Sequence, residues 1–522
     1  MFQKSLKTLR VIISLLFLIA VSSLFVDFRE LIPESWYNPV LYFQFIPSVI
    51  KFIRFTGFAA TGFVIILVLT LLFGRVYCST ICPFGILQDF FSFLSRKIKL
   101  IKRYRKAGSY KILRYVFLVI PVIVLLSGSI FMVNLLDPYS NFGRIASDLF
   151  RPAVVGINNL VAIILEKVHI YALYPVTYNK FHWATLWFPV AIFALILWMS
   201  VFHGRLYCNT VCPVGTVLGL ISKVSFFRIK IDEKTCTKCG NCLFACKAGC
   251  IDIKKSEVDF DRCVSCYNCI NSCDSNSIGY KNMLKSKPVT ITGTNSSKRE
   301  FLVKTLLFGL GISGLSGKTG ASMIRTNKGS TDLIPENKKY PVAPPGSMSI
   351  RHFNDTCTAC HLCISVCPTG VLQPSFLEYG FTGMMQPHMD YHTNYCNYEC
   401  TKCGEACPTG AILPLGKEEK KLTQTGKVNF IIENCVVYND NTACGSCSEH
   451  CPTQAVKMVP YKNGLTIPET DHSICIGCGA CEYACPVRPY RAIYVNGNSI
   501  HRQANPPVIE ELKVEEKEDF PF

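Results

Sequence analysis

The chain has 522 residues, too many for one ordinary domain, with a formal net charge of +18, 49% hydrophobic residues and 29 cysteines. That length and cysteine load do not suit a small disulfide scaffold. The basic excess lies beside apolar runs, which argues against a nucleic-acid partner.

Four long apolar runs occupy roughly 10–27, 56–73, 115–135 and 184–202. Each approaches the ~20 residues a helix needs to cross a bilayer, so the first part of the chain reads as four spans in contact with membrane lipid. Lys4, Lys7 and Arg10 precede the first run, and nine basic residues from Arg96 to Arg114 separate the second from the third. The segment 136–183 carries only Arg144, Arg151, Lys167 and Lys180. By the positive-inside rule, the N-terminus and the loop between the second and third runs are cytoplasmic, and Trp36, Trp183 and Trp187 face the outer interface. Asp27, Glu30, Glu34 and Asp137 read as solvated span ends near that interface, and His182 and His203 flank the fourth run.

The second run leads into GRVYCSTICPFG and the fourth into GRLYCNTVCPVG, an internal repeat. Both copies are expected at the cytoplasmic ends of their helices, where Cys78, Cys82, Cys208 and Cys212 can converge. Residues i and i+4 share a helix face, and the proline after each second cysteine marks a break. The residues leave open whether these thiols hold metal, react as dithiols or organise a cofactor. Arg75 and Arg205 read as thiol-activating groups, head-group ligands or plain membrane anchors.

From residue 216 the composition changes. C-x2-C-x2-C-x3-C recurs at Cys236/Cys239/Cys242/Cys246, Cys263/Cys266/Cys269/Cys273, Cys357/Cys360/Cys363/Cys367 and Cys475/Cys478/Cys481/Cys485. Stretched versions stand at Cys396/Cys400/Cys403/Cys407 and Cys435/Cys444/Cys447/Cys451. This is [4Fe–4S] spacing: three thiolates wrap one cubane and the fourth reaches a neighbouring one. Zinc knuckles separate their CxxC pairs more widely, and cysteines this close rarely pair as disulfides. Six motifs imply six [4Fe–4S] clusters, with their iron held by these cysteines. In the first module, crossing places Cys273 with Cys236/Cys239/Cys242 and Cys246 with Cys263/Cys266/Cys269. Cys250 is left over and reads as a small buried residue or as a substitute for Cys246.

Residues 297–304, SKREFLVK, are twin-arginine-like, and an apolar Gly-rich run follows as a fifth export or anchor segment. The expected organisation is a four-span membrane domain at 1–215, a two-cluster module at 216–290 and an export segment with linker at 291–350. A four-cluster domain at 351–500 and an acidic tail at 501–522 follow. The fold class is a helical membrane domain joined to α+β ferredoxin-like units.

The paired GR-x-YC-x3-CP motif followed by an eight-cysteine module resembles the NapH/NosR/CcoG membrane polyferredoxins. The twin-arginine-like segment, PPGS, CTACHLCISVCPTG, CTKCGEACPTGAI and CIGCGACEYACPV resemble the NapG/MauM ferredoxins. Together they look like a NapH–NapG fusion. The resemblance implies a quinol dehydrogenase of the bacterial inner membrane, passing electrons from the quinol pool or a cytoplasmic donor to an extracytoplasmic redox partner. Relatives of the first class also suggest a redox maturation or regulatory factor. The resemblance further implies nested pairing in the last domain. Cys485 would join Cys357/Cys360/Cys363, Cys367 would join Cys475/Cys478/Cys481, Cys451 would join Cys396/Cys400/Cys403, and Cys407 would join Cys435/Cys444/Cys447. No residue stands out as a quinone site or as a catalytic group beyond the four repeat thiols.

Overall fold

The computed structural model describes residues 2–55, 61–99, 104, 110–176, 183–282 and 333–507. The chain divides into two compact units. The first comprises Met1–Lys328, Arg351–His388 and Lys402–Pro414; the second comprises Gly329–Ile350, Met389–Thr401 and Leu415–Phe522. The export signal, the linker up to residue 332, His182 and the tail from residue 508 lie outside the described residues, while residues 501–503, expected in the tail, finish a strand, Ile493–Gln503.

Among the described residues of the first unit, three helices are long and apolar enough to cross a membrane: Ser5–Val26, Pro138–Lys167 and Thr185–His203. They lie in α1 (Phe2–Val26), α7 (Pro138–Lys167, through a π turn at Ala146–Phe150) and α8 (Trp183–His203). This differs from the four runs expected. The described part of the second run forms α3 (Gly62–Phe73), 12 residues, after α2 (Phe45–Phe55), and residues 56–60 lie outside the described residues. The third is cut in two: α5 (Lys111–Leu126) contains Pro121 and stops before Gly128, and α6 (Phe131–Leu136) follows. Gly128 has φ +92°, a left-handed conformation that ends a helix readily. The long helix at Pro138–Lys167 falls where the sequence suggests an outer loop. Arg144, Asp148 and Arg151 dilute its hydropathy, but Arg144 is 1% exposed and bonded to backbone carbonyls. Asp137, expected at a solvated end, is also buried; its carboxylate caps α7 by accepting from the N–H groups of Tyr139 and Ser140.

The core of this unit joins Phe25, Ile66, Phe84, Phe142, Ile145 and Leu218, all fully buried. Phe25 meets Phe142 edge-on at 6.3 Å. Each repeat copy folds alike, as a one-turn helix (Tyr77–Thr80 or Leu206–Thr210) followed by α4 (Pro83–Lys97) or α9 (Pro213–Ser222). The prolines sit at the first helical position, where no N–H is missed. The eight-cysteine module packs on this end of the helices. Gly74 and Gly204, equivalent in the repeat, have φ +76° and +67°. A Cβ there would lie 2.6 Å from the Phe260 ring and 2.5 Å from Lys247 O, so the module docks directly on both repeat glycines.

In the module, β1 (Phe227–Ile231) pairs antiparallel with β4 (Ile278–Asn282), and the short hairpin of β2 (Ile251–Asp252) and β3 (Glu257–Val258) lies between the cysteine motifs. The second unit repeats the plan on a larger scale. Its β5 (Thr423–Phe430) pairs with β8 (Ile493–Gln503), and β6 (Val456–Pro460) pairs with β7 (Thr466–Thr470). The core there is Val428, Val437, Ala455, Val456 and Ile493, closed around cysteines.

Candidate iron–sulfur centres

Each cysteine motif is a loop running into a one-turn helix, and the helices of consecutive motifs pack together. Asn241–Ala245 meets Asn268–Asn271, Leu362–Ser365 meets Lys402–Ala406, and Ser446–Glu449 meets Ala480–Ala484. Cys236, Cys239, Cys242 and Cys273 line one cavity, while Cys246, Cys263, Cys266 and Cys269 line another. These are the crossed sets expected for the first module. Cys250 lines the second cavity too, with its Sγ 3.5 Å from that of Cys246. That contact pulls the Cys246 thiol down to about 6. Of the two readings of this leftover cysteine, small buried residue or substitute for Cys246, it is buried and also stands beside that ligand position.

The last four motifs correct the nested expectation. Cys357, Cys360 and Cys363 sit with Cys407, within electrostatic reach. Cys451 lines a cavity with Cys475, Cys478 and Cys481, and Cys485 joins Cys435, Cys444 and Cys447. The pairing is sequential, first with second and third with fourth. Neighbouring motifs close shorter loops, at lower entropic cost than the outermost pair would require. Cys367 and Cys403 belong to the first unit, and Cys396 and Cys400 to the second; all four are half-buried.

The repeat thiols converge as expected. Cys78, Cys82, Cys208 and Cys212 are each at most 5% exposed. Arg75 donates to Cys78 Sγ at 3.9 Å and to Cys208 O at 2.9 Å. Arg205 donates to Cys208 Sγ at 3.7 Å and to Cys78 O at 2.8 Å. The Gln88 amide lies 3.5 Å from Cys208 Sγ, and the Gly215 N–H donates to Cys212 Sγ at 3.3 Å. Glycine is required at Gly85 and Gly215, where a Cβ would lie 2.4 Å from Cys78 O and 2.3 Å from Cys208 O. Both arginines are fully buried, so the role of plain interfacial anchor does not describe them. Around them, Arg10, Arg205 and Lys247 converge on Asp89, with N···O distances of 2.8, 2.9 and 3.2 Å.

A cavity of about 690 Å³ lies elsewhere in the first unit. Asp27, Glu30, Glu34, Asp148 and Cys367 are among its lining residues. Asp27 accepts from the N–H groups of Arg29 and Ile32, and Glu30 pairs with Lys402. Arg29 lies over the Tyr174 ring at 5.2 Å. A hydrogen bond with Glu405 raises the Glu34 carboxyl above its ordinary range. His361 Nδ1 is 3.0 Å from Asp148. Nothing in the spacing of these residues announces a cavity, since they come from five separate stretches. His203 lies 5.5 Å from the Trp198 ring, tilted by 55°, outside this group.

Comparison with known proteins bears on these thiol sets. A 4Fe-4S binding domain matches residues 55–101 and 185–232, another matches 350–373, and a 4Fe-4S dicluster domain matches 442–488. The chain is 34% identical over 176 residues to the methylamine utilization ferredoxin-type protein MauM of Methylophilus methylotrophus, covering 32% of this chain and 76% of that protein. It belongs to the ferredoxin-type iron–sulfur proteins. It is also similar to the ferredoxin-type protein NapF of Escherichia coli (strain K12), 28% identical over 30% of this chain and 87% of NapF. A third relative is NapG of Haemophilus influenzae, 26% identical over 39% of this chain and 74% of NapG. No solved structure matches. As a ferredoxin-type protein it binds [4Fe–4S] clusters and transfers electrons, and the quartets of buried and half-buried thiols fit that cargo.

Proposed function

We propose that this ferredoxin-type protein is a membrane-bound quinol dehydrogenase subunit. In this reading it holds six [4Fe–4S] clusters and delivers electrons to an extracytoplasmic oxidoreductase. Its apolar helices sit in the bacterial cytoplasmic membrane, the 216–290 module faces inward and the 351–500 domain faces outward. The observation that carries the quinol step is the cavity of about 690 Å³ with Cys367 in its wall. That volume suits a ring ligand of quinone size.

Oxidising a hydroquinone to the quinone releases two electrons and two protons. The cysteine quartets would hold [4Fe–4S] clusters, which would supply one-electron acceptors for those electrons. The protons fall to the carboxylates of the cavity. Glu34, with its raised affinity for a proton, accepts one, and Asp148 beside His361 accepts the other. Arg29, stacked over Tyr174, offers a cationic edge against which a quinone oxygen can be oriented.

The test uses the full chain in lipid nanodiscs under anaerobic conditions. A short-chain quinol should bleach the cluster absorbance, and Glu34→Gln with Asp148→Asn should slow that step roughly 10²-fold, the ordinary worth of general-base catalysis. Reduction by dithionite but not by any quinol would overturn the reading. Sustained turnover with an artificial acceptor separates a respiratory role from a maturation factor, which acts only while its client is assembled.

A further inference from the structure

We infer that Cys78, Cys82, Cys208 and Cys212 together hold an additional iron–sulfur cubane, a relay buried among the helices between two other cluster sets. The inference rests on the chain's role as an electron carrier and is independent of whether quinol is the donor.

Position is the first argument. On one side, Arg205 Nη1 lies 3.7 Å from Cys208 Sγ, Arg205 Nε lies 2.9 Å from Asp89, and Lys247 Nζ lies 3.2 Å from the same carboxylate. Lys247 directly follows Cys246 of the module. On the other side, the Tyr207 hydroxyl donates to Leu136 O at 3.0 Å. From that stretch, Asn134 donates to Cys357 O at 3.0 Å and Arg144 to Ala359 O at 2.8 Å. The four thiols therefore stand between the module's second quartet and the Cys357/Cys360/Cys363/Cys407 quartet, linked to both by continuous contacts within one unit. Three apolar helices run through that unit, so a route for single electrons between these quartets passes through this point.

Charge is the second argument. The hydrogen bonds of Arg75 go to Asn209 Oδ1, Asp261 O, Cys208 O and Cys78 Sγ. Three further cations, Arg10, Arg205 and Lys247, share the one carboxylate of Asp89. Arg75 Nε and Arg205 Nη2 are buried without a hydrogen-bond partner. Buried cations in such excess call for an anion. A cubane with four thiolates is one; four neutral thiols are not.

Size is the third. Four sulfurs around one tetrahedral ion lie about 3.8 Å apart, from metal–sulfur bonds of ~2.3 Å. Among the described residues, only Glu336, His392 and Glu482 bring three ligand atoms within 4.8 Å of one another. The repeat thiols are spread more widely than one ion needs, like the quartets of the ferredoxin modules. The matched 4Fe-4S binding domain spans both repeat copies, and these four are the only cysteines in residues 55–101 and 185–232. The proposed centre gains one electron from one neighbouring cluster and gives one to the other, with no bond made or broken and no proton moved.

The test is iron and acid-labile sulfide per chain in anaerobically prepared, nanodisc-embedded protein, with redox-titrated EPR. Wild type should carry about 28 irons, and Cys82→Ser and Cys212→Ser should each lose about four irons and one EPR component. Wild type with about 24 irons, or unchanged spectra in both variants, would overturn the proposal, as would zinc at this site. Arg75→Lys and Arg205→Lys keep the charge and guard against misfolding: each should shift the midpoint of that one component. No shift in either would also overturn it. A failed quinol assay would leave these readouts untouched.

Discussion

Arg75 and Arg205 exchange partners across the internal repeat. Arg75 donates to the carbonyl of Cys208 at 2.9 Å, and Arg205 to the carbonyl of Cys78 at 2.8 Å. Each copy thus fixes the first cysteine of the other. The thiol site is a joint product of the two halves, and changes at either half disturb both.

Gly215→Ala should therefore be costly. Its Cβ would lie 2.3 Å from Cys208 O and 2.8 Å from Arg75 Nη2, and the carbonyl is already held by that arginine. A loss of about 1–3 kcal/mol is expected, the usual range for overpacking. Gly156→Ala is the control: it lies within α7 with open space around it and should be neutral or slightly stabilising. Thermal unfolding in one detergent compares them.

Asp89→Asn should destabilise strongly. It leaves Arg10, Arg205 and Lys247 buried without their shared carboxylate. Removing one partner from a buried ion network costs ~3–5 kcal/mol. Loss of folded protein in a fluorescence-detected size-exclusion assay would report it, and an unchanged melting point would refute it.

Sequential pairing gives distinct spectroscopic outcomes. Cys407→Ser should perturb the cluster of Cys357/Cys360/Cys363, and Cys485→Ser that of Cys435/Cys444/Cys447. Nested pairing would send the Cys485→Ser effect to Cys357/Cys360/Cys363 instead. EPR of each variant combined with Cys360→Ser separates the two: changes at the same cluster do not add.

Cys250 should rescue its neighbour. With its Sγ 3.5 Å from that of Cys246, it can supply the fourth thiolate when Cys246 is replaced. Cys246→Ser should keep nearly full iron, and Cys246→Ser with Cys250→Ser should lose about four irons.

Acid should loosen the second unit through His501. Burial depresses this imidazole from 6.5 to about 4. A depressed pKa means the folded state resists protonation, so the associated stability is full above pH 6.5 and declines as pH falls from there towards 4. His501→Gln should flatten that part of the stability curve, read by urea unfolding at pH 7.5 and pH 5. An unaltered slope would mean other groups set it.

The cysteine quartets and the repeat were legible because iron–sulfur ligation and duplication write themselves as spacing. The Pro138–Lys167 helix was not, because Arg144 and Asp148 lower its hydropathy while their partners, Ala359 O and His361, lie more than two hundred residues away. Motif order was equally silent: crossing requires that ligands be exchanged, but which motif is the neighbour depends on how loops close. Asp137 has the sequence context of any span-end acid, whereas its helix cap and its burial depend on the packing around it.

Equivalent positions in the two halves have since parted. Asp89 corresponds to Gly219, where a side chain would strike Arg114 and Asp261. One carboxylate comes from the repeat itself; its counterpart, Asp261, is borrowed from the eight-cysteine module and pairs with Arg114 at 2.8 Å. A chain with a single copy could complete such a site only by dimerising with itself, both faces alike. The module packs against both copies, at Gly74 and Gly204, so a pocket built by two like halves takes part of its charge balance from outside the repeat.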